Sequence, residues 1–189
     1  MVQTKPLLTP REYLTLERAA EEKSEYLDGE MVAIPRVNIW HSLILVNLIG
    51  EIHGQLRQRS GEVYPSMMRL HIPGTGLYTY PDVTVVLDFP RFTDQEEDNL
   101  LNPTLLIEIL SLASETYDRG KKFEHYKTID SLAEYVLVSQ DTPQVEQRLR
   151  QDNGDWHIAT TSGLDQKVIL SSIGCELELA KIYQKIPLG

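Results

Sequence analysis

The segment Leu105–Leu110, with the sequence LLIEIL, is the feature of this chain that most constrains its fold. As a strand it is apolar on both faces, which is typical of the centre of a sheet that is covered on both sides. Its one charged residue is Glu108, and a buried carboxylate costs several kcal/mol unless it is paired, protonated or bound to a metal. We therefore expect Glu108 to lie either in a functional site or in a structural salt bridge.

The elements expected around this strand belong to a mixed α/β fold. A helix is expected from Thr9-Pro10 to about residue 22, and Asp28-Gly29 between apolar runs predicts a two-residue hairpin. A long buried helix is expected over residues 38–58, with an apolar stripe of Leu45, Leu48, Ile52 and Leu56 that is broadened by Leu43, Val46 and Ile49. Further strands are expected over residues 63–72, 82–88, 104–110, 133–139, 144–151, 156–161 and 167–170, further helices over residues 118–128 and 179–185, and an acidic loop over residues 90–103. This order predicts one domain over residues 1–189, in which helices flank a central mixed β-sheet.

Charge and composition disfavour several classes of protein. The net charge is −10, from 18 Lys and Arg against 28 Asp and Glu, which disfavours a general nucleic-acid coat or a protein that binds anionic membranes. The single cysteine, Cys175, excludes an internal disulfide and a zinc site built from several cysteines. No apolar block follows the first residues, and none approaches the roughly 20 residues that span a bilayer, so we expect a cytoplasmic protein without a membrane partner.

Two further residues have the chemistry and the placement to join Glu108. Asp82 begins a predicted strand and points, by strand alternation, to the face opposite its apolar neighbours; the alternative is a turn residue at the strand end. Lys122 shares a helix face with Tyr126, four residues on, so it is expected to face the sheet, while Lys121 faces solvent. The alternative for Lys122 is a lysine that packs its aliphatic stem and exposes its ammonium.

Two carboxylates on neighbouring strands, together with one lysine, have the chemistry for phosphoester hydrolysis. Asp82 and Glu108, with the backbone carbonyl of Ile109, supply oxygen ligands of the kind that Mg²⁺ or Mn²⁺ prefers. Such a cation polarises a phosphodiester and acidifies a bound water. Lys122 then orients or deprotonates that water, or neutralises the charge that develops on the reacting phosphate.

The order of several short motifs resembles a large bacterial family of restriction-endonuclease-like proteins, long described as a domain of unknown function, within the PD-(D/E)XK nuclease superfamily. The resemblance covers nearly the whole chain. Its landmarks are residues 25–30 (EYLDGE), His41, residues 81–83 (PDV), residues 107–111 (IEILS), residues 118–122 (DRGKK) with Tyr126, and residues 133–138 (AEYVLV). It implies a restriction-endonuclease-like core and an endonuclease that hydrolyses DNA with Mg²⁺ or Mn²⁺.

The resemblance also implies roles for individual residues. Asp82 and Glu108 match the metal-binding acids, and Lys122 matches a lysine that the family supplies from the following helix. The chain departs from the usual superfamily pattern at Leu110, which stands where a lysine commonly lies two residues after the second acid. It departs again at Leu112, where the family commonly has proline.

Two auxiliary residues each have two interpretations. Glu25 matches an acid that recurs in the family, and it either approaches the metal as a third acid or pairs with a cation. His41 lies on the apolar stripe of the long helix, where it is either a hydrogen-bonded core histidine or a residue of the site. Because nucleases that cut both strands often pair two sites, a homodimer is also expected.

Two other functions stay open beside the endonuclease. One is a non-catalytic binding or scaffolding module that retains the nuclease fold, which the acidic charge and the missing standard lysine favour. In that case the basic surface is small, since Arg148 and Arg150 on one strand face form only a short ridge. The other is a metal-dependent hydrolase of a different phosphate ester, which would use the same ligands.

Overall fold

The helices and strands of the protein are taken from a computed structural model that describes residues 7–188. In chain order they are α1 (Pro10–Ala19), β1 (Ser24–Leu27), β2 (Glu30–Ala33), α2 (Ile39–Leu56), β3 (Glu62–Pro65), β4 (Arg69–Ile72), β5 (Leu77–Thr79), β6 (Val83–Val86), β7 (Asn99–Leu100), β8 (Leu105–Leu110), α3 (Glu115–Tyr117), α4 (Phe123–Tyr126), β9 (Glu134–Ser139), β10 (Gln144–Arg150), β11 (Trp156–Ser162), β12 (Lys167–Leu170), β13 (Cys175–Glu178) and α5 (Leu179–Ile182). A π-helical turn, Asp118–Lys122, joins α3 to α4, so residues 115–126 form one helical segment.

The larger sheet has six strands in the order β11-β10-β9-β8-β6-β3. β8 pairs in parallel with β9 and antiparallel with β6, which makes the sheet mixed. All six residues of β8 are buried, as the apolar sequence predicts. The expected fold class, a mixed α/β protein with helices against a mixed sheet, is therefore confirmed.

The two faces of β8 belong to different parts of the core. Leu105, Ile107 and Ile109 pack in one cluster with the buried apolar residues of α2. Leu106 and Leu110 pack in a second cluster with Phe123 and Tyr126 of α4. Because side chains alternate along a strand, Glu108 lies on the same face as Leu106 and Leu110, toward the helical segment 115–126.

A second sheet has the strand order β2-β1-β5-β4-β7 and brings the N-terminal hairpin beside the first sheet. β1 and β2 pair antiparallel, with Leu27 opposite Glu30, so Asp28-Gly29 forms the predicted two-residue turn. Both turn residues have positive φ, 51° for Asp28 and 88° for Gly29, as such a turn requires. β1 also pairs with β5, which is followed after a short connection by Asp82 and β6.

The single strand predicted over residues 63–72 is wrong. The segment divides into β3, at the edge of the six-stranded sheet, and β4, in the five-stranded sheet. A turn separates the two strands, with the N–H of Met68 donating to the carbonyl of Pro65 at 3.0 Å. Pro65 lacks an N–H for a sheet bond, so it is compatible with the last position of an edge strand.

The predicted stripe of the long helix is wrong in part. The buried residues of α2 are His41, Ile44, Leu48, Ile52 and Leu56, whereas Val46 is 65% exposed. Spacing by three and four residues fitted more than one stripe, and the position of the sheet selected the one that contains Ile44. The short strands β5, β7 and β13 were missed, including β7 inside the predicted acidic loop.

Within residues 7–188, none of the helices is both long enough and apolar enough to span a membrane.

Candidate active site

Asp82 and Glu108 lie side by side on neighbouring strands. In the antiparallel pair of β6 and β8, Val83 is opposite Ile107. Continuing this register by one residue places Asp82 opposite Glu108. Oδ2 of Asp82 accepts a hydrogen bond from the backbone N–H of Ile109 at 2.8 Å, which fixes the carboxylate against β8.

Glu108 is held by two side chains of the helical segment 115–126. Its Oε1 lies 2.8 Å from Nζ of Lys122 and accepts a hydrogen bond from the hydroxyl of Tyr126 at 2.7 Å. Lys122 and Tyr126 are four residues apart, so they lie on one face of the helical segment. The side chains of Glu108 and Lys122 are only 6% and 7% exposed, whereas Lys121 is exposed.

Two more carboxylates approach the same ammonium. Nζ of Lys122 lies 3.4 Å from Oε1 of Glu25 and 3.5 Å from Oδ1 of Asp118. Glu25 comes from β1 and also accepts a hydrogen bond from the hydroxyl of Thr79. Of its two interpretations, Glu25 has the geometry of an acid that pairs with a cation.

Asp118 is a residue of this cluster to which the sequence assigned no role. Its side chain is 4% exposed and lies one helical turn before Lys122. The sequence did contain a signal, because an aspartate and a lysine four residues apart share a helix face. The π-helical turn that contains both residues is a feature often found at functional sites.

His41 lies at the other side of Asp82. The side chain of Asn38 caps α2 by accepting the N–H of His41 at 2.9 Å, so His41 stands in the first turn of the helix. Its Nε2 lies 2.9 Å from Oδ1 of Asp82, and its side chain is 7% exposed. His41 is therefore both a buried histidine of α2 and a direct neighbour of the site.

Burial dominates the electrostatics of this cluster. It raises the pKa of Glu108 to about 8, against the attraction of Lys122 and with repulsion from Asp118 and Asp82. Burial also raises the pKa of Asp118, with Lys122 acting against it. Burial alone would lower the pKa of Lys122, but the neighbouring Glu108, Tyr126, Glu25 and Asp118 outweigh it and hold that pKa well above its usual value.

The oxygens of Asp82 and Glu108 form a donor set that fits a partly hydrated divalent cation. Within residues 7–188 there is no group of three or more His, Cys, Asp or Glu side chains arranged to hold a metal ion. The hydrogen bond and the ion pair of Glu108 both use Oε1, and neither uses Oε2. Since Mg²⁺ is commonly held by one or two carboxylates while water and substrate complete its shell, the two acids suffice.

The predicted basic ridge on β10 is wrong. The side chain of Arg148 is 8% exposed, pairs with Glu146 at 2.7 Å and lies over the ring of Phe123. Arg150 donates to two backbone carbonyls, those of Lys127 and Ile129. Both guanidinium groups therefore hold the helical segment 115–126 and the loop after it against the sheet.

Lys23 is a second cation near the site, and no sequence pattern singles it out. It directly precedes β1, and its Nζ donates to the backbone carbonyl of Ser66 at 2.6 Å. Asp82 and Glu108 are among the charges that act on it.

The mixed sheet and the pair of acids on its neighbouring strands, of which Glu108 is buried and Asp82 is partly buried, define the class of protein as restriction-endonuclease-like. The chain belongs to the Uma2 family, which is described as "Putative restriction endonuclease" and matches residues 10–181. This membership confirms the resemblance drawn from the motifs.

Two relatives and one solved structure are similar to this chain over most of its length. Two uncharacterized proteins of Synechocystis sp. are similar over most of their length. The protein sll1609 is 34% identical, and the match covers 90% of this chain and 97% of sll1609. The protein slr1290 is 36% identical, and the match covers 95% of this chain and 93% of slr1290. A crystal structure from Anabaena variabilis, titled as a putative nuclease belonging to DUF820, matches with a TM-score of 0.74 over 93% of this chain and 97% of that chain, at 22% identity. At 22% sequence identity, this match shows that the two chains share a fold.

Proposed function

We propose that this protein is a divalent-metal-dependent endonuclease that hydrolyses phosphodiester bonds of DNA. The observation that carries the proposal is the placement of Asp82 opposite Glu108, with Nζ of Lys122 2.8 Å from Glu108. Membership of a restriction-endonuclease-like family supports a nucleic acid as the substrate and a divalent metal as the cofactor. In this proposal Asp82 and Glu108 hold Mg²⁺ or Mn²⁺, with the carbonyl of Ile109 as a third ligand.

Each residue around the proposed metal has a different chemical role. A bound cation would polarise the phosphodiester and acidify a water. Lys122 acts as an ammonium that orients that water and stabilises developing negative charge, because a raised pKa favours the protonated form over a general base. His41 orients Asp82, and Glu25 positions Lys122 rather than binding the metal.

Cleavage of supercoiled plasmid and of single-stranded DNA in Mn²⁺ tests this function. Wild type is compared with Glu108→Ala and Glu108→Gln, and melting temperatures are recorded because removing a buried charge can stabilise a protein. Glu124→Gln is the matched control, since Glu124 is exposed on the same helical segment and pairs with Lys127. Cleavage by wild type and the control, but not by the Glu108 variants, supports the proposal. Cleavage by folded Glu108→Ala overturns it.

A non-catalytic binding module is the second candidate function. It is favoured by the net charge of −10 and by the position of Lys122, whose ammonium already neutralises Glu108. Calorimetry with Mn²⁺ separates the two, because only the endonuclease needs the ion at Asp82 and Glu108. Heat of binding that is lost in Glu108→Ala contradicts the binding module. Metal binding without cleavage of DNA or RNA directs the search to other phosphate esters.

We also propose that the protein is a homodimer that acts in the cytoplasm. Two copies would supply one site for each strand of a duplex. Sedimentation that gives a mass near 21.6 kDa contradicts the dimer.

A further inference from the structure

Lys23 is fixed at the base of the hairpin that borders the candidate active site. Its backbone carbonyl accepts a hydrogen bond from the N–H of Ile34 at 2.9 Å, where β1 begins and β2 ends. Successive side chains of a strand alternate, so Lys23 and Glu25 project from the same face of this hairpin. Glu25 on that face contacts Lys122, which places Lys23 on the side of the hairpin that faces the site.

The strand register indicates that the ammonium of Lys23 lies near Asp82, on the side away from Glu108. Pro65 of β3 pairs with Val83 of β6, and continuing this register by one residue brings Ser66, in the turn after β3, toward Asp82. Nζ of Lys23 donates to the carbonyl of Ser66 at 2.6 Å. The same nitrogen is 5.2 Å from the centroid of the Tyr80 ring, two residues before Asp82.

Neither of these two contacts neutralises the charge of Lys23. Within residues 7–188, none of the ion pairs includes this lysine, although its side chain is half-buried. Burial lowers its pKa, while Asp82, Glu17 and Glu108 raise it from a distance. An ammonium has three donors, and the carbonyl of Ser66 uses one of them. A half-buried cation with free donors is a suitable partner for an anionic oxygen.

We propose that Lys23 is a phosphate-binding residue of this site. Its ammonium contacts a backbone phosphate of DNA next to the phosphodiester that is held at Asp82 and Glu108. The inference rests on the proposed function and adds a substrate contact to it. Lys122 and Lys23 then have separate tasks. Lys122 acts on the reacting phosphate, and Lys23 binds the adjacent backbone phosphate and so positions the DNA strand.

Binding of labelled DNA by the full chain tests the role of Lys23. Fluorescence anisotropy is measured in Ca²⁺, with single-stranded and duplex oligonucleotides, over a series of salt concentrations, and a gel verifies that the DNA stays intact. The variants are Lys23→Met, Lys23→Arg, which keeps the charge, and Lys121→Met as an exposed control near the site. Melting temperatures show that each variant is folded.

Loss of one phosphate contact has a specific signature. We expect Lys23→Met to weaken DNA binding about fivefold to tenfold and to reduce the slope of log K against log salt by about 1. Lys23→Arg retains most of the affinity, and Lys121→Met behaves as wild type. If wild type binds DNA and Lys23→Met matches Lys121→Met in affinity and slope, the inference is overturned while the proposed function stands. If wild type binds neither the single-stranded nor the duplex oligonucleotide, the proposed function fails and this inference fails with it.

Discussion

Nζ of Lys122 lies 2.8 Å from Oε1 of Glu108, and these two charged groups are buried between the six-stranded sheet and the helical segment 115–126. Removing charges from water costs several kcal/mol each, and that cost is offset only when the remaining donors and acceptors are satisfied. Tyr126, Glu25 and Asp118 provide such partners at this pair. The cluster therefore depends on all its members, and most of the predictions below concern what happens when one is removed.

The stability contribution of Glu108 depends on pH. An unfolded glutamate releases its proton near pH 4.5, whereas folded Glu108 releases it near pH 8. Between these values the folded state binds more protons than the unfolded state, so the contribution of Glu108 to stability falls as pH rises and levels off above pH 8. We expect the stability of Glu108→Gln relative to wild type to increase as pH rises through this window, by about 1.4 kcal/mol for each pH unit. Thermal melts in a chelator at a series of pH values measure this difference. A constant difference across the window contradicts the raised pKa.

Replacing Lys122 with methionine leaves Glu108, Glu25 and Asp118 around an uncharged side chain. We expect Lys122→Met to abolish cleavage and to destabilise the fold by about 3–5 kcal/mol, because buried carboxylates lose their cation. The loss of stability is larger at pH 8.5 than at pH 5, because the raised pKa of Glu108 lets that carboxyl take up a proton at the lower pH. Urea unfolding at both pH values measures it. The exposed neighbour gives the control: Lys121→Met should stay within about 0.5 kcal/mol of wild type.

Tyr126→Phe removes one hydroxyl from the cluster and keeps the ring in the core. The hydroxyl donates to Glu108 at 2.7 Å, and above pH 8, where Glu108 is ionised, a hydrogen bond to this charged partner is worth about 1.5–3 kcal/mol. We expect a loss of that size, which corresponds to a lower melting temperature by several degrees for a chain of this length. Tyr64→Phe serves for comparison, because its hydroxyl meets the exposed carboxylate of Glu62. Equal losses of stability in the two variants would contradict the expectation that the buried hydrogen bond of Tyr126 stabilises the fold more than the exposed one of Tyr64.

Asp82→Asn separates the charge of this residue from its shape. Oδ1 lies 2.9 Å from Nε2 of His41, and Oδ2 accepts the N–H of Ile109, whereas asparagine offers only one acceptor oxygen. We expect a destabilisation of about 1–3 kcal/mol and loss of Mn²⁺ binding by calorimetry. The control is Asp88→Asn, an exposed residue beyond the other end of β6. Retained Mn²⁺ affinity in Asp82→Asn contradicts the proposed ligand.

The local sequence pattern predicted much of the fold, because the spacing of apolar residues along the chain indicates which side chains are buried. The apolar run of Leu105–Leu110 predicted a central strand, and Asp28-Gly29 predicted the hairpin turn, since both signals depend on residues that are adjacent in the chain. The same reasoning failed at residues 63–72, where a turn after Pro65 sends the chain into another sheet. Which sheet a short strand joins is decided by distant partners, so β5 and β7 carried too little local signal.

The sequence by itself determined the central strand, the acid within it and the helix face that carries Lys122 and Tyr126. Those features follow from alternation, helical spacing and the cost of burying charge, which act within a few residues. Only the tertiary structure decided that Lys122 is shared among three carboxylates, that His41 contacts Asp82, and that Arg148 and Arg150 serve the packing of the helical segment. These contacts join residues from different elements, and their energies depend on burial and distance, which are properties of the folded chain and not of neighbouring residues in sequence.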